Sequence, residues 1–204
     1  MTLSTRKIES YKIFDEIANT YDFLNHFLSF GIDLYWRKKF LKNLPDGDAL
    51  SVLDLATGTG DVPIVLTQEQ RVKSVTGIDR SKEMIARGNF KIIKKNLSKK
   101  VSLEIGDGVD IPFPDNSFDL VTISFGIRNF PDPQKSLRNI YRVLKPNGRV
   151  LLVEWSDSFG GIGPKADTVV KKDKIMETFE KNGFHMDKEI EAGSHHYGLI
   201  YKKL

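Results

Sequence analysis

The 204-residue chain contains no cysteine. A disulfide framework, a thiolate nucleophile and a cysteine-ligated zinc or iron–sulfur site are thereby excluded, and a reducing compartment fits. Long apolar runs are also missing. No stretch approaches the roughly 18 consecutive apolar residues of a membrane span, and the opening MTLSTRKIES lacks the apolar core of a secretory signal. A soluble, cytoplasmic protein is the expectation. Histidine is scarce, and His195 and His196 are adjacent. In a strand such neighbours point to opposite faces, so they make no simple metal pair, and no metal site is expected. Neither sign of charge dominates: 31 Lys+Arg against 27 Asp+Glu leave a formal +4.

What is present is a chain with 40% hydrophobic residues, enough for a single globular domain. Lysines gather in KIIKKNLSKK (Lys91 to Lys100), in VVKKDKI (Val169 to Ile175) and in the final YKKL. Such runs read as solvated helix faces or as attraction to an anionic membrane surface. They carry no interleaved aromatics and match no recognition module, so nucleic acid is not expected as a partner.

From Ile8 to Leu44 apolar residues recur at helical spacing, with breaks at Gly31 and Pro45. After Gly47 short apolar runs alternate with amphipathic stretches. The runs LSVLDLA, VTGID, VSLEI, FDLVTISF and RVLLVEW read as strands, most of them buried on both faces. Residues 62–69, 84–97 and 134–144 read as crossover helices. The pattern predicts an α/β fold, a mostly parallel sheet with helices on both faces. Past a turn-rich DSFGGIGPK, a helix near Lys171 to Asn182 ends at Gly183, and strands around 185–191 and 197–201 follow. Too little chain separates these two for a parallel crossover, so they should pair antiparallel at the sheet's C-terminal edge. The expected layout is one domain over 1–204: an N-terminal helical lid (1–45), a ligand-binding core (46–156) and a short C-terminal part (157–204).

The sharpest local feature is VLDLATGTGD, in which a buried strand runs through Gly58-Thr59-Gly60 into a helix. Glycines at such a turn let a ligand approach the backbone, and the free N–H groups of the helix start attract a negative group. Asp79 stands about twenty residues on, at the end of the next strand, where a carboxylate can accept hydrogen bonds from both ribose hydroxyls. A tight turn with Asp79 as a helix cap is the plainer reading. A dinucleotide fingerprint requires a third glycine three residues after Gly60. That position is Pro63, which is comfortable in a first helical turn but does not reproduce the dinucleotide pattern.

With Asp54 four residues before Gly58, the D-x-x-x-G-x-G pattern resembles that of S-adenosylmethionine-dependent methyltransferases. Longer stretches sharpen the likeness. FDEIANTYDFLNHFLSFGIDLYWRKKF, IPFPDNSFDLVTISFGIRN and YRVLKPNGRVLLVEWS are similar to the ubiquinone/menaquinone biosynthesis C-methyltransferase family. The resemblance covers about the first three quarters of the chain and implies a Rossmann-like fold. It also implies S-adenosyl-L-methionine as cofactor and methylation of a ring carbon on a prenylated quinol. Asp54, Gly58, Thr59, Gly60, Asp79, Asp107, Gly108 and Ser124 are the implied cofactor-binding residues.

Physical roles can be given to several of them. Asp107 could accept from the exocyclic amine of adenine while Gly108 keeps the approach open. Ser124 ends the fourth strand, on the rim where open α/β sheets collect ligands. A quinol ring carbon becomes nucleophilic once a neighbouring hydroxyl loses its proton, so a cation or base is needed nearby. Arg128 is the expected cation, with Asn129 beside it; the plainer reading ties Arg128 to Asp132 or to a helix end. Tyr21 and His26 in the N-terminal helices are further candidates. After Ser156 the chain departs from the family pattern, with only Asp157 to Val170 where a longer covering segment is usual. An unrelated small-molecule acceptor is therefore the second reading. Contact with a membrane surface and a homodimer both remain open.

Overall fold

The computed structural model describes residues 11–18, 39–158 and 163–204. Seven strands form one sheet: β1 (Leu50–Leu55), β2 (Val72–Asp79), β3 (Val101–Ile105), β4 (Phe118–Ser124), β5 (Leu144–Trp155), β6 (Phe184–Glu191) and β7 (His196–Lys203). Their order across the sheet is β3-β2-β1-β4-β5-β7-β6. The first five are mutually parallel, and β7 runs antiparallel to both β5 and β6. The expected α/β architecture and the antiparallel C-terminal pair are thus observed.

Side-chain alternation explains why the inner strands read as continuous apolar runs. Leu53 and Leu55 enter one apolar layer with Ile123, Leu152 and Phe179, whereas Val52 enters the opposite layer with Leu66, Ile92, Leu151 and Ile200. Both faces are covered, so each strand must be apolar on both. Removing one such Val, Leu or Ile from water contributes about 1.5–3 kcal/mol. The helices supplying the layers are α1 (Asp61–Leu66), α2 (Lys82–Lys94), α3 (Pro133–Val143) and α4 (Lys172–Lys181). Capping fixes where they start and stop. Ser81 accepts from the Met84 N–H at 3.1 Å, Asp132 accepts from the Lys135 N–H at 2.9 Å, and Gly183 leaves α4 with φ +85°.

Two strands begin earlier than the sequence pattern suggests. β2 starts at Val72, and β5 includes Lys145-Pro146-Asn147-Gly148, a turn-forming series that its apolar pattern hides. The extra residues form an irregularity in the β4–β5 register: Phe118 pairs with Leu144 but Leu120 with Arg149, and Asn147 takes φ +63°.

From β1 the chain builds outward to β2 and β3, then returns to place β4 on the other side of β1. The crossovers from β1 and into β4 therefore diverge, which leaves a crevice above their carboxyl ends. The chain's glycine turn lies there.

Candidate active site

The crevice is a cavity of about 710 Å³, counted to its open mouth, lined on one side by Gly58, Asp79, Asp107 and Gly108 and on the other by Ser124, Arg128 and Asn129.

The turn after β1 is fastened from behind. The Asp54 carboxylate is buried and accepts from the Thr57 hydroxyl at 2.6 Å and the Thr122 hydroxyl at 2.5 Å, joining the turn to β4. Thr59 is equally buried and accepts from Lys91 Nζ at 2.9 Å, while the same ammonium reaches Asp61 at 2.6 Å. A Cβ on Gly60 would stand 2.8 Å from Leu103 Cδ1. Asp54, Thr59 and Gly60 do not line the cavity, so among the described contacts they support the turn from beneath. The physical reason is the turn's shape: Ala56, Gly58 and Gly60 all have positive φ, which aims Gly58 outward and its neighbours inward. Nothing lies within 4 Å of where a Gly58 Cβ would be.

Asp79 connects the turn to the next crossover. Its Oδ2 accepts from the Gly58 N–H at 2.8 Å and its Oδ1 from the Ser81 N–H at 2.9 Å. Burial raises its carboxyl pKa above the ordinary aspartate value, and these N–H donors oppose the rise. The helix cap itself is Ser81, so Asp79 is not the cap that the plainer reading made it. Asp107 accepts from the Val109 N–H at 2.9 Å and lies 3.3 Å from Arg80 Nε. Beside it Gly108 has no room for a side chain, since a Cβ would stand 2.9 Å from the Phe130 ring.

On the opposite wall, Ser124 Oγ is buried without a hydrogen-bond partner. Arg128 sits in a short 3-10 turn, Ile127–Asn129, that follows β4. Its Nη1 meets Glu154 Oε1 at 2.5 Å, and the carboxylate is fully buried. The anticipated partner Asp132 is engaged elsewhere as the N-cap of α3, so the pairing with Asp132 is corrected to Glu154. Glu154 was not singled out in the sequence, although a carboxylate inside the apolar run RVLLVEW was the signal available.

His196 was dismissed as a ligand and instead packs in an aromatic cluster behind the cavity-lining Phe125. Its ring centroid lies 4.3 Å from that of Trp155 and 5.1 Å from that of Phe125, and burial pushes its pKa down to about 4. His195 faces away and places Nδ1 2.8 Å from Asp157 Oδ1.

The helical stretch 11–18 closes one side of the crevice. Tyr11 and Phe14 line it, the Ser81 hydroxyl donates to Asp15 Oδ1 at 2.5 Å, and the Arg80 guanidinium lies 5.0 Å from the Tyr11 ring centroid. Tyr21 and His26 lie outside the described residues.

Residues 2–165 match the model of the ubiE/COQ5 methyltransferase family. The chain belongs to that family. A ubiquinone/menaquinone biosynthesis C-methyltransferase of Geotalea daltonii is 46% identical over 149 residues, which cover 71% of this chain and 62% of the relative. A demethylmenaquinone methyltransferase of Bacteroides fragilis is 43% identical over 143 residues, covering 70% and 58%. The chain thus spans about 60% of the length of these curated relatives. Among solved structures, a SAM-dependent methyltransferase from Aquifex aeolicus superposes with a TM-score of 0.75 at 25% identity, covering 82% of this chain and 89% of that one.

S-adenosyl-L-methionine, the cofactor the family implies, fits the residues present. Two carboxylates line the cavity for groups that donate hydrogen bonds, Gly58 leaves space against the backbone, and the Ser124 hydroxyl lacks a partner.

Proposed function

We propose that this ubiE/COQ5 family protein methylates a ring carbon of a demethylated menaquinol or ubiquinol precursor. The observation that carries the reading is one cavity with hydrogen-bond-accepting carboxylates, Asp79 and Asp107, on one wall and a guanidinium, Arg128, on the other. Bound S-adenosylmethionine supplies an electrophilic methyl on its sulfonium. The protein's residues do the rest by orientation and charge. Asp79 holds the ribose hydroxyls, Asp107 takes the adenine amine, and Ser124 hydrogen-bonds the cofactor or acceptor between them. The Arg128 N–H groups not engaged by Glu154 hold the acceptor oxygen once its proton has left to water, and Asn129 orients the ring. The helical stretch 11–18, with Tyr11 and Phe14 over the cavity, acts as the described part of a lid.

Incubation with S-adenosylmethionine and a short-chain demethylmenaquinol tests this directly. The expected product is the ring-methylated quinol; cofactor binding without any product would move the assignment to an unrelated acceptor. That second reading has its own support, because the family match stops at residue 165 while α4, β6 and β7 lie beyond it.

A prenylated acceptor lives in a bilayer, and no helix among the described residues is long and apolar enough to cross one. The reading therefore includes docking at the surface. Phe90 and Ile93 are 68% and 67% exposed on α2, beside exposed Lys94, Lys95 and Lys99, and no acidic residue occurs between Glu83 and Glu104. Aromatic and aliphatic side chains amid lysines suit an anionic lipid surface. Each lysine adds about 1 kcal/mol there. Sedimentation with anionic vesicles should show binding at low salt that is lost at high salt and weakened in Phe90→Ser/Ile93→Ser; absence of low-salt binding removes this part of the proposal.

A further inference from the structure

Among the described residues, four buried side-chain polar atoms have no hydrogen-bond partner: Ser124 Oγ, Glu154 Oε2, His196 Nδ1 and the Tyr201 hydroxyl. The first three belong to residues at neighbouring strand ends. Ser124 ends β4, Glu154 is the penultimate residue of β5, and His196 opens β7 directly opposite Trp155. Buried polar groups are nearly always paired, so each exception calls for a cause.

Glu154 is the most costly of them. It is 0% exposed, and a buried carboxylate is tolerated only when its partners replace the water it has lost. An arginine–carboxylate pair that serves stability alone gains most by parallel, two-armed bonding. Here all bonding converges on one oxygen: Oε1 accepts from Arg128 Nη1 at 2.5 Å and from the Trp155 N–H at 2.9 Å, while Oε2 accepts from nothing. Neighbouring groups do not fill the gap. Tyr197, opposite Glu154 on β7, donates its hydroxyl to the Val170 carbonyl at 2.9 Å, and its pKa lies far above the ordinary tyrosine value, raised mainly by burial and then by the Glu154 charge. His196 is held neutral by burial and engages Trp155 and Phe125 through its ring.

We propose that Glu154 is a positioning residue for Arg128. It grips the guanidinium by one nitrogen and so leaves the remaining N–H groups for a phenolate oxygen in the cavity that Arg128 lines. The cost of the unpartnered Oε2 goes with that one-armed grip, since a two-armed pair would turn the whole fork away from the acceptor. This inference rests on the reading of Arg128 as the acceptor's cation.

The test uses the full chain loaded with S-adenosylhomocysteine and 4-nitrophenolate as probe, whose ionised form is read by visible absorbance. The wild-type protein should bind the phenolate, Arg128→Ala should lose it, and Glu154→Gln should weaken it at least fivefold while S-adenosylhomocysteine affinity stays within twofold. In an Arg128→Ala background, Glu154→Gln should have no further effect, because Glu154 acts only through the arginine. Undiminished phenolate binding by Glu154→Gln, an equal loss in the Arg128→Ala background, or no phenolate binding by the wild type each overturns the proposal. If Glu154→Gln fails to fold, as shown by lost S-adenosylhomocysteine binding, Arg128→Lys decides: it keeps the charge without the fork and should also lose at least fivefold, whereas unchanged binding overturns the role of orientation. Phenolate bound without methylation of demethylmenaquinol would sink the functional assignment while leaving the Arg128–Glu154 inference standing.

Discussion

The two sides of the cavity, each taken with the residues behind its lining, are built on opposite plans. On the side of β1, β2 and β3 the polar groups already hold one another: Asp54 takes two hydroxyls, Asp79 takes two backbone N–H groups, and Asp107 takes one N–H beside Arg80. On the side of β4, β5 and β7, Ser124 Oγ, Glu154 Oε2 and His196 Nδ1 hold nothing. A satisfied wall keeps one geometry whether or not a ligand is present, which lowers the cost of ordering on binding. An unsatisfied wall is destabilised until something arrives, and strain of that kind belongs where binding or chemistry occurs. On the proposed function, the first side recognises the constant ligand and the second accommodates the reacting one.

The comparison is broken most severely at Asp54. Asp54→Ala leaves the buried Thr57 and Thr122 hydroxyls without an acceptor, at about 1–3 kcal/mol each, so unfolding in urea should show a loss of roughly 2–6 kcal/mol. A loss under about 0.5 kcal/mol would show that the first wall is not held together by its own polar groups. Asp79→Ala comes next. It removes the expected acceptor for ribose and frees the Gly58 N–H, and S-adenosylmethionine affinity measured by calorimetry should fall by about 1.5–3 kcal/mol. Unchanged affinity would return Asp79 to a purely structural role.

The second wall is probed by acid. Burial holds the His196 pKa near 4, below the ~6.5 of an unfolded histidine. The unfolded chain therefore binds the proton first, and the contribution from neutral His196 is complete above about pH 6.5 and declines as pH falls toward 4. Because the ring is partly open to water, the loss is discounted to roughly 1–2 kcal/mol. Urea midpoints of the wild type and His196→Gln, compared at pH 7 and 4.5, should converge in acid; parallel slopes would contradict the assignment.

How far the sequence discloses this molecule depends on the range of each interaction. The inner strands were legible because burial on both faces leaves uninterrupted apolar letters, and LSVLDL or FDLVTIS admits few other readings. The glycine turn and Asp79 were legible because strand–turn–helix geometry fixes the spacing between them. Supporting roles were not, since they depend on pairings across the sheet. Asp54 meets Thr122 across 68 residues, Lys91 reaches Thr59 across 32, and Arg128 finds Glu154 across 26. Asp132 was considered for Arg128 and Glu154 was not, although Asp132 directly before Pro133 carries a local helix N-cap signal. The same limit hid β5's first turn, where Lys145-Pro146-Asn147-Gly148 carries loop chemistry inside a strand.

Ser124 offers the smallest effect and the cleanest division between the walls. Its hydroxyl is buried without a partner, so Ser124→Ala deletes a polar atom that contributes no hydrogen bond to the folded chain. Stability should stay unchanged or rise by a few tenths of a kcal/mol, the reverse of what the same deletion does to a satisfied hydroxyl. Ligand binding should move the other way. If the hydroxyl pairs with the cofactor, S-adenosylmethionine affinity falls by about 0.5–1.5 kcal/mol in calorimetry; if it pairs with the acceptor, cofactor affinity holds and KM for the quinol rises instead. A variant that loses stability with no change in either ligand would mean that the hydroxyl serves the fold after all, and the contrast between a satisfied and an unsatisfied wall would fail at the residue where it is simplest to measure.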